Sequence, residues 1–290
     1  MKTEPITAEK IEIPKAKILT DVDLLKSQLK KYEQKILPAL LVKHGFTPEQ
    51  FVNIVVSEVK KNDKLLQCLK DNPSSVYASI LSAAEIGLIP SSEIGEFYLI
   101  PRMIKNKMTA TPLVGYKGLV SLLLRSGDVA SVTTEVVYVD DFFETELGLN
   151  SNLVHKPNYI SEKRDAKDIV ACYAVSISKS GAKQFAVVTR KEIVAVKNMC
   201  LYDNDLYFND TKNPNRWMER KIALNQLAKM LPKDFYSKKA IAMDNMVEGG
   251  AMISLDEDNK IKLIEGAPVQ PTRFRNIYGV INKIDKTDNL

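Results

Sequence analysis

The stretch from Gly95 to Gly127, GEFYLIPRMIKNKMTATPLVGYKGLVSLLLRSG, decides how the chain is read. Its first half predicts two strands, Phe97 to Met103 and Met108 to Val114, around the polar turn Lys105, Asn106 and Lys107. Pro101 and Pro112 confine both to sheet edges or bulges. From Gly115 the period becomes helical: Leu119, Leu122 and Leu123 point to a core, while Lys117, Ser121 and Arg125 recur at i, i+4 and i+8 on another face. Between Phe97 and Gly127 the charged residues are Arg102, Lys105, Lys107, Lys117 and Arg125, without one acid, whereas Asp128 to Asn150 carries only acids. A basic run interleaved with Tyr98 and Tyr116 suits a nucleic-acid surface, where cations neutralise phosphates and aromatic faces accept bases. Lysines at a hairpin tip also protect an edge strand, which explains Lys105 and Lys107 but not Lys117 and Arg125 on one helix face.

Working outward toward the N-terminus, residues 1–20 have no sustained period and read as a flexible arm. Helix begins near Asp21, with Leu25, Leu29, Tyr32 and Ile36 at helical spacing. Thr47, Pro48 and Gln50 give a cap, a first-turn proline and a capping-box partner to a helix burying Phe51, Val55 and Val59. Asn72 and Pro73 start a third helix with the stripe Val76, Ile80 and Ala84 and a stop at Gly87. Toward the C-terminus, Val129 to Tyr138 predicts a strand with Ala130, Val132, Val136 and Tyr138 buried. A hairpin joins Ile169–Ile177 to Lys183–Thr189, helix follows from Arg190 to Cys200, and a long helix runs from about Arg216 to Met230. Trp217, Leu224, Leu227 and Leu231 are its expected core positions. The fold class is α+β: a small, curved, mostly antiparallel sheet with hairpins, flanked by helices.

Composition excludes several functions. A chain of 290 residues with 45% hydrophobic residues can bury a core, and its net charge of +5 is modest. Cys68, Cys172 and Cys200 form no CxxC, so neither a disulfide framework nor a zinc ribbon is indicated and a reducing cytoplasm is expected. No run approaches the roughly 18 apolar residues of a membrane span, and no membrane association is expected. There is no GxxxxGK[ST], nor any Gly-Lys dipeptide, so the usual phosphate loop of an ATP-driven motor is missing. His44 and His155 lack metal spacing, and His155 reads as a solvated loop residue. Asp140, Asp141, Glu144 and Glu146 could hold Mg²⁺ in a nuclease, or meet the basic patch of an adjacent copy. No catalytic residue and no metal ligand is assigned, and the chain is read as no enzyme.

The chain resembles the RecT family of phage recombination proteins, which anneal complementary single strands without ATP. The resemblance rests on AAEIGLIP (Ala83–Pro90), GEFYLIP (Gly95–Pro101), GYKGL (Gly115–Leu119), RSG (Arg125–Gly127), FETELGL (Phe143–Leu149) and LVHKP (Leu153–Pro157). CYAVSISKSGAKQFAVVTRKEI (Cys172–Ile193) and KIALNQLAKMLP (Lys221–Pro232) complete it. The chain divides into a core over 21–246 for DNA binding, annealing and oligomerisation and a tail over 247–290 whose polar, irregular composition reads as largely disordered, the part in which the family tends to place its partner contacts. The resemblance also implies rings or helical filaments of identical copies, a basic groove holding single-stranded and annealed duplex DNA by the backbone, and partnership with a phage exonuclease and the host single-strand-binding protein. The DNA contacts it suggests, with those read from charge, are Arg102, Lys105, Lys107, Tyr116, Lys117, Arg125, Lys156, Arg190, Lys191, Arg216, Arg220 and Lys221. Asn225 and Gln226 depart from the family by standing where relatives often carry basic residues. No cofactor is required, Mg²⁺ being left at most a supporting role in assembly or DNA binding. The alternatives are a passive single-strand coating protein and a Mg-dependent nuclease.

Overall fold

The structure, a computed structural model, describes residues 21–33, 47–200, 204–231, 235–248, 250–256 and 261–264. The arm over 1–20, His44 and the last stretch of the tail lie outside these residues. In chain order the helices are α1 (Asp21–Glu33), α2 (Pro48–Lys60), α3 (Asp63–Asp71), α4 (Pro73–Ile86), α5 (Tyr116–Arg125), α6 (Arg190–Met199), α7 (Trp217–Met230) and α8 (Phe235–Glu248). The strands are β1 (Phe97–Ile104), β2 (Lys107–Val114), β3 (Val129–Tyr138), β4 (Phe142–Glu146), β5 (Asn152–Lys156), β6 (Ile169–Ser178), β7 (Lys183–Thr189), β8 (Met252–Leu255) and β9 (Ile261–Ile264). All pairings between these strands are antiparallel. The α+β class therefore holds, but the strands form four separate sheets: the hairpins β1–β2, β4–β5 and β8–β9, and the three-stranded β3–β6–β7.

Local sequence explains most of these elements. Thr47 and Gln50 form the expected reciprocal capping box on α2, and Phe51, Val55 and Val59 are fully buried beneath it. Helix α4 ends at Gly87, whose φ of 69° closes the last turn in the left-handed region. Beyond the predicted stripe, Ser75, Ser79 and Ser82 are also buried, and their hydroxyls donate to the carbonyls of Asn72, Ala110 and Ser79. This central helix is buried nearly all round because β1–β2, α3, α8 and the β8–β9 hairpin all pack on it. The chain past Val247, expected to be largely disordered, thus contributes a hairpin to the core.

Two expectations about strands change. The Val129–Tyr138 strand buries Thr134 and Val136, with Val132 and Tyr138 partly covered, while Ala130 is exposed, because a register shift between Val129 and Ser131 flips the face. The acidic segment after Tyr138, for which no strand is predicted, is the β4–β5 hairpin. It lies on the outer face of β3–β6–β7, where Phe143 and Leu153 pack against Val137, Ala171 and Tyr173. Helix α7 covers the inner face, placing Leu224 and Leu227 in the main core. Pro101 and Pro112 are tolerated because a two-stranded hairpin has only edge strands.

Candidate nucleic-acid interface

The base of the β1–β2 hairpin and the start of α5 meet at contact distances that only glycine allows. The Gly115 N–H donates to the Glu96 carbonyl at 2.9 Å. A Cβ on Gly115 would fall 2.2 Å from the Gly95 carbonyl oxygen, and one on Gly118 would fall 2.1 Å from that of Glu96. The motifs GEFYLIP and GYKGL are therefore two halves of one backbone contact. Lys117 stands exposed between these glycines, its stem lying beside Gly95.

The hairpin tip is elsewhere. Lys105 and Asn106 form its two-residue turn with φ of 48° and 60°, and Ile104 pairs with Lys107. Phe97 pairs with Val114 at the other end, so the tip lies roughly 24 Å from the start of α5 at the usual strand rise. Tip and helix do not form one continuous basic face. Lys105 and Lys107 are exposed, as are Lys156, which lies over the Phe142 ring, and Lys191 at the start of α6.

The remaining basic positions are turned inward. Arg125 donates from Nη1 to the Gly87 carbonyl at 2.7 Å, capping the C-terminus of α4. Arg102 is buried in β1. Arg190 donates to the Ile169 carbonyl and lies over the Phe208 ring. Arg216 is buried at a φ of 58°, donating to the carbonyls of Asn209 and Asn213 and pairing with Asp210. Arg220 grips the Glu135 carboxylate at 2.8 Å and the Thr134 carbonyl. Lys221 pairs with Asp244 at 2.7 Å, both nearly inaccessible. Arg125, Arg190, Arg220 and Lys221 read as surface cations in sequence because their carboxylate and carbonyl partners come from distant segments, whereas the partners of Arg216 lie in the loop just before it.

Two aromatic residues reach the surface together. Tyr116 is half-buried, its hydroxyl accepting from Thr134 Oγ1, and its ring lies 5.0 Å from that of Trp217. Trp217, expected in the core, is 41% exposed. It stands at the first turn of α7, where Leu224 and Leu227 occupy the buried side. The sequence signal that would have found it is its place at the helix start, directly after a polar loop. Tyr98 packs below Gly95 and Gly115, and burial raises its hydroxyl pKa against the opposing pull of Lys221.

The acids of the rival nuclease reading are not gathered. Asp141 is wholly buried, its carboxylate accepting from the N–H groups of Tyr138 and Asn158, from Arg164 at 2.7 Å and from His155 at 3.1 Å. His155, read as a solvated loop residue, is 5% exposed on β5, with its other ring nitrogen 3.1 Å from the Tyr173 hydroxyl. Asp140 instead accepts from Ser161 and Lys163, and Glu144 and Glu146 are exposed on β4. Among the described residues no three His, Cys, Asp or Glu side chains are placed to share a metal ion. Burial raises the Asp141 pKa, but the hydrogen bonds overcome it and hold the carboxyl at about 2. The stability this contributes is present above the ordinary carboxylate range and is lost as pH falls through about 2. Acid titration of Asp141→Asn should therefore show a shallower loss of stability between pH 4 and 2 than the parent chain, followed by circular dichroism.

A model described as the RecT family matches residues 49–262. Protein RecT of Escherichia coli (strain K12) is 33% identical over 216 residues, covering 72% of this chain and 75% of that protein. The chain belongs to the RecT family. Members are single-strand annealing proteins of recombination, and in that general sense this RecT-family chain binds single-stranded DNA and forms oligomers. The matched region runs from the first turn of α2 into β9 and so includes the glycine contact, the α7 face and the C-terminal hairpin. Among the described residues no helix is long and apolar enough to cross a membrane.

Proposed function

We propose that this RecT-family protein pairs complementary single strands without ATP, holding their backbones along a basic surface of an oligomer. The observation that carries the reading is the juxtaposition of an exposed cation, Lys117, with the Tyr116 and Trp217 ring pair, at a site built from two family motifs. Single strands repel each other and fold on themselves. Cations that neutralise phosphate lower the first barrier, and a ring that accepts an unpaired base lowers the second. Base pairing between the strands then supplies sequence choice, since backbone contacts position without specifying. No residue has to make or break a covalent bond, and Mg²⁺ enters only as an aid to assembly or DNA binding. Of the positions suggested by sequence, Lys117, Lys156 and Lys191 are offered as phosphate contacts. The partners are a phage exonuclease that exposes single strands and the host single-strand-binding protein, in the cytoplasm of a bacterial cell.

The test is the pairing rate of two complementary dye-labelled oligonucleotides across a salt series with no nucleotide present. Acceleration that fades with salt supports annealing; tight binding without acceleration supports a passive coating protein; shortened oligonucleotides would revive the nuclease. Lys117→Glu is expected to leave thermal stability unchanged and to reduce the log–log salt dependence of single-strand binding by at least about 0.7, the contribution of one phosphate. Trp217→Ala should weaken binding by about 1–3 kcal/mol, the range for one stacked base, with the salt dependence unaltered. Fluorescence anisotropy on one labelled oligonucleotide reads both.

A further inference from the structure

The β4–β5 end of the molecule carries large apolar side chains that stand exposed among the described residues. Leu147 and Leu149, in the loop joining the two strands, are 80% and 105% exposed. Gly148 between them has a φ of 121°, a conformation that L residues rarely adopt and that glycine allows at this bend. Glu144 and Glu146 stand exposed on the adjoining strand, within the segment that contains no basic residue. Two leucines projecting from one short loop are unfavourable in water unless a partner removes them from it.

A surface of opposite character lies beside the β1–β2 tip. A hollow of about 480 Å³ is lined by Asp63, Lys64, Gln67, Pro101, Met103 and Met108. Met103 is 62% exposed at its rim, Lys64 and Asp63 are exposed in its lining, and the exposed Lys105 and Lys107 stand in the adjoining β1–β2 turn and at the start of β2. The Gln67 amide and the Met108 N–H both donate to Asp71, so this aspartate is engaged beneath the basic rim. Apolar floor and lysine rim match apolar loop and glutamate flank, and both surfaces belong to the same chain.

We infer that the β4–β5 loop of one copy seats Leu147 and Leu149 in this hollow of a second copy, with Glu144 and Glu146 facing Lys64 and Lys107. The inference rests on the reading of the protein as an annealing oligomer and names the contact that builds it. The two surfaces are different patches, so the contact is head-to-tail: each copy offers a loop to one neighbour and a hollow to the other. Such an interface closes into a ring or extends into a helix according to the rotation per subunit. It also assigns the tip lysines to assembly and leaves Lys117, far from the tip, for DNA. Complementary charge sets the register while the buried leucines supply most of the favourable burial.

Sedimentation velocity of the full chain, with and without a poly-dT oligonucleotide, tests this. The parent chain should sediment as species well above the 32.5 kDa of one copy. Glu144→Lys with Glu146→Lys, and separately Lys64→Glu with Lys107→Glu, should each sediment as a single copy with unaltered thermal unfolding. Mixing the two variants should restore large species, because each reversed surface then meets its complement. Either variant retaining parental sedimentation, a mixture that stays monomeric, or a parent chain that is monomeric in both conditions overturns the inference. If a charge variant fails to fold, Leu147→Ser with Leu149→Ser tests the same contact through its apolar part. The outcome is separable from the DNA reading: Lys117→Glu should keep the sedimentation of the parent chain without DNA and bind the oligonucleotide more weakly, whereas absent annealing by a parent chain that still assembles would remove the function and leave the interface standing.

Discussion

Asp244→Ala is expected to destabilise the protein by about 3–5 kcal/mol, the usual cost of removing one partner from a buried ion pair. The Asp244 carboxylate does two jobs from α8: one oxygen accepts from the Val114 N–H at 3.0 Å, and the other lies 2.7 Å from Lys221 Nζ. Truncation strands an ammonium whose side chain is only 6% exposed and removes the acceptor of a buried N–H at the end of β2. The pair ties α7 and α8 to the hairpin, so its loss loosens the platform on which Lys117 and Trp217 stand. Replacing both partners, Lys221→Met with Asp244→Asn, keeps the volume and an acceptor for Val114 and should cost much less, about 1–2 kcal/mol at most. Urea unfolding followed by circular dichroism measures both. Equal losses in the single and double variants would show that the charge pairing contributes nothing. The same logic separates stability from DNA contact: a binding defect in Lys221→Ala that tracks its unfolding reports on the fold, not on a lost phosphate.

Gly118→Ala carries the second large effect, with a sign opposite to helix propensity. In an exposed helix, alanine for glycine stabilises by about 1 kcal/mol. Here the added Cβ would sit 2.1 Å from the Glu96 carbonyl oxygen and 3.0 Å from Leu88 Cδ1. The obstructing atom is backbone at the entrance to β1 and cannot rotate away as a side chain would. Separating α5 from that carbonyl by more than an ångström should cost about 3 kcal/mol or more, exceeding the propensity gain. The expected result is a chain that unfolds at markedly lower temperature or fails to accumulate, while Gly127→Ala, with open space around its Cβ but φ of 95°, loses only the cost of a left-handed alanine, about 1–2 kcal/mol. A Gly118→Ala protein as stable as its parent would refute the close approach.

The elements with strong local grammar are legible in the sequence. The α2 capping box, the proline start and glycine stop of α4, the β1–β2 and β6–β7 hairpins and the family motifs all appear in the sequence at the places the structure gives them. Helix α3 was missed although Asn62 caps it, its side chain accepting from the N–H groups of Lys64 and Leu65, because its nine residues are short beside α2. The β4–β5 hairpin was hidden by its acids. Its inward residues, Phe143 and His155, are paired across the strands but separated by the loop, and burial of His155 depends on Asp141 and Tyr173.

What the sequence by itself determined was the family, the α+β class and the segregation of a basic stretch from an acidic one, since these depend on residue order, local spacing and cap chemistry. Which cations are available to a ligand was decided only by the tertiary structure. Arginine and lysine stems reach several ångströms in any direction, and their partners, Gly87 for Arg125, Ile169 for Arg190, Glu135 for Arg220 and Asp244 for Lys221, lie between 21 and 85 residues away along the chain. A charge pattern counts such groups without knowing which of them the fold has already neutralised. The exposure of Trp217 is of the same kind, for an aromatic at a helix start faces core or solvent according to what packs above it, and here the neighbour is Tyr116 on another helix.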